Sequence, residues 1–130
     1  MNDTRKKVLI VDDEGDVAEV AKNAIESDDI EVVTTFDGLS AIDEIASVKP
    51  DLILLDVMMP TVDGFALCKR IKDDPATEDI IVVLYTAANE PFIIERIVAI
   101  GADDYVMKPV DSDRLRRRVR ALLGLATERS

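Results

Sequence analysis

One stretch constrains this chain more than any other: Leu52-Ile53-Leu54-Leu55, four apolar residues in a row, closed by the carboxylate of Asp56. A strand with one wet face alternates apolar and polar residues, so an unbroken run suits a strand covered on both faces, inside a parallel sheet. Pro60 and Asp63-Gly64 then punctuate the sequence as a loop. In open α/β sheets ligands bind just beyond the carboxyl ends of the strands, which puts Asp56 at the mouth of the sheet. A lone aspartate there reads as a turn cap; its company decides otherwise.

The pattern recurs. Val8 to Val11 is a second unbroken run and ends in Asp12-Asp13, and Ile80 to Tyr85 is a third and delivers Thr86, Ala87 and Ala88. Asp29 to Phe36 reads as a strand through its valines and threonines, and Asp104 to Met107 as a short fifth strand ending in Lys108-Pro109. Helical spacing fills the gaps. Val17, Val20, Ala21, Ala24 and Ile25 form one stripe, and Leu39, Ile42, Ile45 and Ala46 another, opened by Asp37 as N-cap and stopped by Lys49-Pro50. A third helix covers Phe65 to Lys72 with Leu67, Cys68 and Ile71 inward. The fourth starts at Pro91, carries Phe92, Ile93, Ile97 and Ile100, and ends at Gly101. Asp111 caps the fifth, where Leu115, Val119, Leu122 and Leu123 face the sheet. Five strands alternating with five helices predict one α/β domain over residues 1–130, core about 6–124, with a doubly wound parallel sheet and right-handed crossovers.

Composition narrows the chemistry. The formal net charge is −11, which opposes direct binding to nucleic acid or an anionic membrane. No apolar stretch has the length of a membrane span and the first residues lack the core of a signal peptide, so a cytoplasmic location is expected. The chain has no histidine, which excludes Ser-His and Cys-His nucleophile pairs and histidine-ligated zinc. Its five glycines form no phosphate-binding loop, and the single Cys68 sits on an apolar helical face as a packing residue.

At the strand ends, then, stand Asp12, Asp13, Asp56, Thr86 and Lys108. Clustered carboxylates repel unless a cation holds them, and a hard divalent ion such as Mg²⁺ is the economical choice where phosphate also binds. Asp56 is then a nucleophile towards phosphorus, Lys108 a point charge for a phosphoryl oxygen, and Thr86 a hydrogen-bond donor to another.

The motifs Val11-Asp12-Asp13-Glu14, Leu54-Leu55-Asp56-Val57-Met58-Met59-Pro60, Asp63-Gly64, Leu84-Tyr85-Thr86-Ala87 and Gly101 to Lys108-Pro109 resemble the receiver domain of two-component response regulators, including the stand-alone chemotaxis type. The resemblance spans about Val8 to Leu123 and implies a flavodoxin-like fold with strand order 2-1-3-4-5. It implies that Asp56 accepts a phosphoryl group from a histidine kinase or phosphotransfer protein. It implies Mg²⁺ or Mn²⁺ held by Asp13, Asp56 and the backbone carbonyl of Met58, with Asp12 acting through water. Thr86 and Lys108 would close on the phosphoryl oxygens, Tyr105 would be the switch aromatic, and the Lys108–Pro109 bond would be cis. The surface of the fourth helix, fifth strand and fifth helix would then control a target protein or output domain, or form a homodimer.

Some positions depart from the pattern. Met58 and Ala88 flank the site with no polar group to orient a water, which predicts slow loss of phosphate from Asp56. Gly15 and Ile81 stand where proline is common in the family. The run Arg114, Arg116, Arg117, Arg118 and Arg120 is either a solvated helix face or a surface for an acidic partner. Two alternatives remain: a receiver-shaped module that takes no phosphate, opposed by the complete set of site residues, and an aspartyl-nucleophile phosphohydrolase, opposed by Met58 where a second aspartate is needed. Whether the chain is a stand-alone regulator or the receiver of a longer protein is left open by the sequence.

Overall fold

A computed structural model describes residues 5–60, 62–87 and 93–126; Ala88, Pro91 and Phe92, which the sequence placed after the fourth strand and at the start of the fourth helix, lie outside them. Five strands are present: β1 (Lys6–Val11), β2 (Ile30–Thr35), β3 (Leu52–Asp56), β4 (Ile81–Thr86) and β5 (Asp104–Met107). The helices between and after them are α1 (Gly15–Ile25), α2 (Ala41–Val48), α3 (Gly64–Asp73), α4 (Ile93–Ile100) and α5 (Ser112–Leu122). All neighbouring strands pair in parallel, in the order β2-β1-β3-β4-β5. The doubly wound sheet and its strand order are as the sequence and the resemblance led one to expect.

The absence of alternation in β3 has a direct cause: all five of its residues are buried, so Leu52 to Leu55 are apolar on both faces and the one polar side chain, Asp56, comes at the strand's carboxyl end. Side chains of successive residues go to opposite faces and seed two cores. On one face Leu9, Val11, Ile53, Leu55, Val82 and Leu84 pack with residues of α2, α3 and α4. On the other, Val8, Ile10, Leu52, Leu54 and Val83 meet α1 and α5. Cys68 belongs to the first core, and burial pushes its thiol up to about 11, which keeps it an unreactive packing group.

Three sequence expectations need correction. Val20 is exposed, and the inner face of α1 is built from three alanines, Ala18, Ala21 and Ala24, with Ile25. Leu39 and Ala46, set on the second stripe, are exposed as well. Asp37 does cap, its Oδ1 accepting from the Leu39 N–H at 2.9 Å, but what it caps is a 3₁₀ turn over Gly38–Ser40, and α2 starts only at Ala41. The tighter turn takes Leu39 out of the α-helical stripe. The arginine run on α5 is not uniformly solvated either. Arg120 is buried and forks onto Asp29 with two 2.8 Å bonds, while Arg118 pairs with Asp104 at 2.6 Å and Arg116 with Asp113 at 2.7 Å. Arg114 and Arg117 are the exposed remainder.

Candidate functional site

The strand register assembles the site. Val11 pairs with Leu55, so Asp12 and Asp56 are the next step along β1 and β3. Asp56 pairs with Tyr85 and Thr86 with Met107, which puts Thr86 and Lys108 one step further along the same edge. Four side chains from four segments thereby reach one place without any long loop.

Asp12 and Asp56 are each only 2–3% exposed. Each folds its Oδ1 back onto the N–H two residues ahead: Asp12 accepts from Glu14 at 2.9 Å and Asp56 from Met58 at 3.0 Å. These turns leave both Oδ2 atoms facing Lys108, whose Nζ lies 3.0 Å from Asp12 and 3.4 Å from Asp56. Lys108 also stands 4.8 Å above the Tyr85 ring, and its N–H donates to the Thr86 carbonyl at 2.8 Å. The Lys108–Pro109 bond is cis. The Thr86 side chain is fully buried.

Charge at this edge is unbalanced. Burial, reinforced by the neighbouring Asp12, pushes the Asp56 carboxyl above the ordinary carboxylate range; the Met58 N–H and Lys108 oppose this without cancelling it. For Lys108 burial works against the charged form, but its hydrogen bond to Asp12 and the charges of Asp12 and Asp56 outweigh burial and raise its proton affinity. Lys108 is therefore a fixed cation between two buried carboxylates.

Around it, one carboxylate oxygen from each of Asp12, Asp13, Glu14 and Asp56 falls within 4.8 Å of the others. An all-oxygen, carboxylate-rich set of this kind fits a hard divalent cation, and one ammonium does not neutralise four acids. Glu14 is the member the sequence reasoning passed over. Its signal was its place directly after the acidic pair, and the Asp12 turn brings it round to 3.9 Å from Lys108. Met58 contributes its N–H to Asp56, while its side chain is exposed at the rim. Tyr105 is not part of the cluster. It lies on the edge strand β5, half-buried, packed against the core that includes Ile93 and Ile97 of α4.

Comparison with known proteins gives the family and the fold. The family model described as "Response regulator receiver domain" matches residues 8–120. The chain is 38% identical over 119 residues to the DNA-binding dual master transcriptional regulator RpaA of Synechocystis, covering 90% of this chain and 48% of that protein. It is 40% identical over 116 residues to the response regulator PleD of Caulobacter vibrioides, covering 89% of this chain and 26% of PleD. The chain thus spans about half the length, or less, of these curated relatives. Among solved structures, the signal receiver domain of a histidine kinase from Syntrophus aciditrophicus superposes with a TM-score of 0.82 at 34% identity, covering 96% of each chain. The receiver domain of a DNA-binding response regulator from Colwellia psychrerythraea gives 0.81 at 32% identity, over 92% of this chain and 98% of that one.

Proposed function

Because this chain belongs to the response regulator receiver domain family, we propose that it is a phosphorylation-dependent switch in which Asp56 accepts a phosphoryl group from a histidine kinase or phosphotransfer protein. One observation carries the reading: Asp56 is a buried carboxylate of raised proton affinity, with a lysine ammonium 3.4 Å from its Oδ2 and an acidic cluster at its side.

In the transfer an Asp56 carboxylate oxygen forms the new bond to phosphorus. The bond from phosphorus to the donor breaks, its electron pair stays with the donor, and a phosphohistidine imidazole takes up a proton as it leaves. Asp13, Asp56 and the Met58 carbonyl would hold Mg²⁺ or Mn²⁺, with Asp12 acting through water; Glu14 stands in the same cluster. A bound divalent ion would offset the negative charge of donor and acceptor. Lys108 would trade part of its bond to Asp12 for a phosphoryl oxygen, and the Thr86 hydroxyl would donate to another. Loss of phosphate is expected to be slow, because the exposed Met58 side chain offers no group to orient an attacking water.

Phosphorylation adds about −1.5 to −2 charge at this edge. The response would reach a partner through α4, β5 and α5, with Tyr105 as the switch aromatic; Ile94, Val98 and Met107 give that side an exposed apolar content suited to a target protein, an output domain or a second copy. Among the described residues no helix is long and apolar enough to cross a membrane.

Intact mass after incubation with acetyl phosphate tests the proposal. A single phosphoryl adduct that needs Mg²⁺ and is lost in Asp56→Asn is expected. No adduct with either Mg²⁺ or Mn²⁺ would sink the reading.

A further inference from the structure

Helix α4 is eight residues long and is held from beneath by two buried side chains, Ile93 and Ile97. The helix it packs on is α3. At that contact the Arg96 guanidinium carbon lies 4.0 Å from the centroid of the Phe65 ring, and its Nη2 lies 3.9 Å from Asp63 Oδ2. Phe65 is buried in the first turn of α3, so the ring is a fixed platform. Asp63 is the N-cap of α3: its Oδ1 accepts from the Phe65 N–H at 2.9 Å, leaving Oδ2 for the guanidinium.

The same residues are tied to the site. Asp63 forms a backbone bridge with Met58, and the Met58 N–H is bonded to Asp56 Oδ1. Gly64 tightens the connection, since a Cβ there would lie 2.4 Å from Val57 Cα and 2.7 Å from the Asp56 carbonyl oxygen. The start of α3 is therefore seated on the backbone that directly follows Asp56 and cannot shift independently of it.

The geometry points to Arg96 as a latch: a positioning residue that holds α4 on the first turn of α3 while Asp56 is unphosphorylated, and loosens when the loop after Asp56 moves. This inference rests on reading Asp56 as the phosphoacceptor. A contact of this kind, half-exposed and screened by water, biases an equilibrium about two- to fivefold. That is a fitting size for a device that must yield to a single charge change rather than lock the helix. What it positions matters, because α4 carries the exposed Ile94 and Val98.

Arg96→Gln removes the cation and keeps an unbranched polar side chain, though a shorter one. In the unphosphorylated variant, amide hydrogen exchange across residues 93–100 should quicken about two- to fivefold while that of β1 and β3 stays unchanged. The initial rate of Mg²⁺-dependent adduct formation from acetyl phosphate should rise by a similar factor, because part of the barrier to rearrangement is gone. Arg96→Lys, which returns a cation to the ring face, should bring both readouts back towards wild type. Phe65→Leu removes the platform from the other side and should reproduce Arg96→Gln. If wild type forms the adduct and Arg96→Gln matches it in both readouts, or forms it more slowly, the latch is overturned and the phosphoacceptor reading stands. If wild type forms no adduct, the phosphoacceptor reading fails first, and faster exchange in Arg96→Gln would report a packing contact and not a switch.

Discussion

At the scale of single residues, the site is a balance between two buried carboxylates and one ammonium, and its pH dependence follows from which side is short. Asp56 holds its proton to a higher pH in the folded protein than in the unfolded chain. Within that window the native state binds more protons, so stability falls as pH rises through it. In metal-free buffer, urea titrations should show this decline above the ordinary carboxylate range, and Asp56→Asn should abolish it. The same substitution should stabilise the protein at pH 7 by about 1 kcal/mol, since it removes a buried charge the site only partly compensates. Lys108→Ala acts in the opposite direction. It strands Asp12 and Asp56 without their cation and should cost about 3 kcal/mol at pH 7, with a smaller loss as pH is lowered and the carboxyl of raised proton affinity is neutralised. Met58→Asn tests the other property of the site. It places an amide at an exposed position beside the proposed acceptor, and the phosphorylated variant should lose phosphate severalfold faster than wild type by time-resolved intact mass; an unchanged lifetime would mean that Met58 does not set the rate of loss.

At the scale of elements, the strand ends matter less than the short links that follow them. Asp12, Asp37, Asp56 and Asp63 each accept from the N–H two residues on, so the same local turn recurs after strands and before helices. The link after β3 is the tightest of them. Gly64→Ala would drive a methyl group into the Val57 and Asp56 backbone, which cannot give way as a flexible side chain would. It should cost about 2 kcal/mol in denaturant unfolding and slow adduct formation on Asp56, while Gly15→Ala, whose Cβ meets only Phe36 Cε1 at 3.9 Å, should leave both near wild type. Elements also explain which expectations from sequence went astray. Apolar spacing placed Val20 and Leu39 inward, but spacing carries no information on whether a residue sits in an α-helical or a 3₁₀ turn, or on which of several apolar residues at neighbouring positions a helix turns to the sheet. Gly101, expected to end α4, does so with φ +82°, because the left-handed conformation that follows a helix is one glycine adopts without strain.

At the scale of the whole molecule, α1 and α5 cover one face of the sheet and α2, α3 and α4 the other, and long-range ties close the outer seams. Arg120 reaches from α5 to the turn before β2, and its guanidinium holds the Asp29 carboxyl well below the usual carboxylate range. A depressed carboxyl contributes stability that is present above the unfolded value and lost as pH falls below it. Asp29→Asn should therefore lower stability at neutral pH and make the acid limb of the unfolding profile shallower. Much of this architecture is legible along the chain: runs without alternation dictate strands buried on both faces, their termini line up the site residues Asp12, Asp13, Asp56, Thr86 and Lys108, and no histidine or glycine-rich loop competes for the chemistry. That part is local, because burial on both faces of a strand leaves its mark on every consecutive residue. The burial of one arginine out of a run of five and the seating of Arg96 over Phe65 belong to another order of information. Each depends on the angle and distance at which two segments far apart in sequence meet, and only the packed tertiary structure settles those.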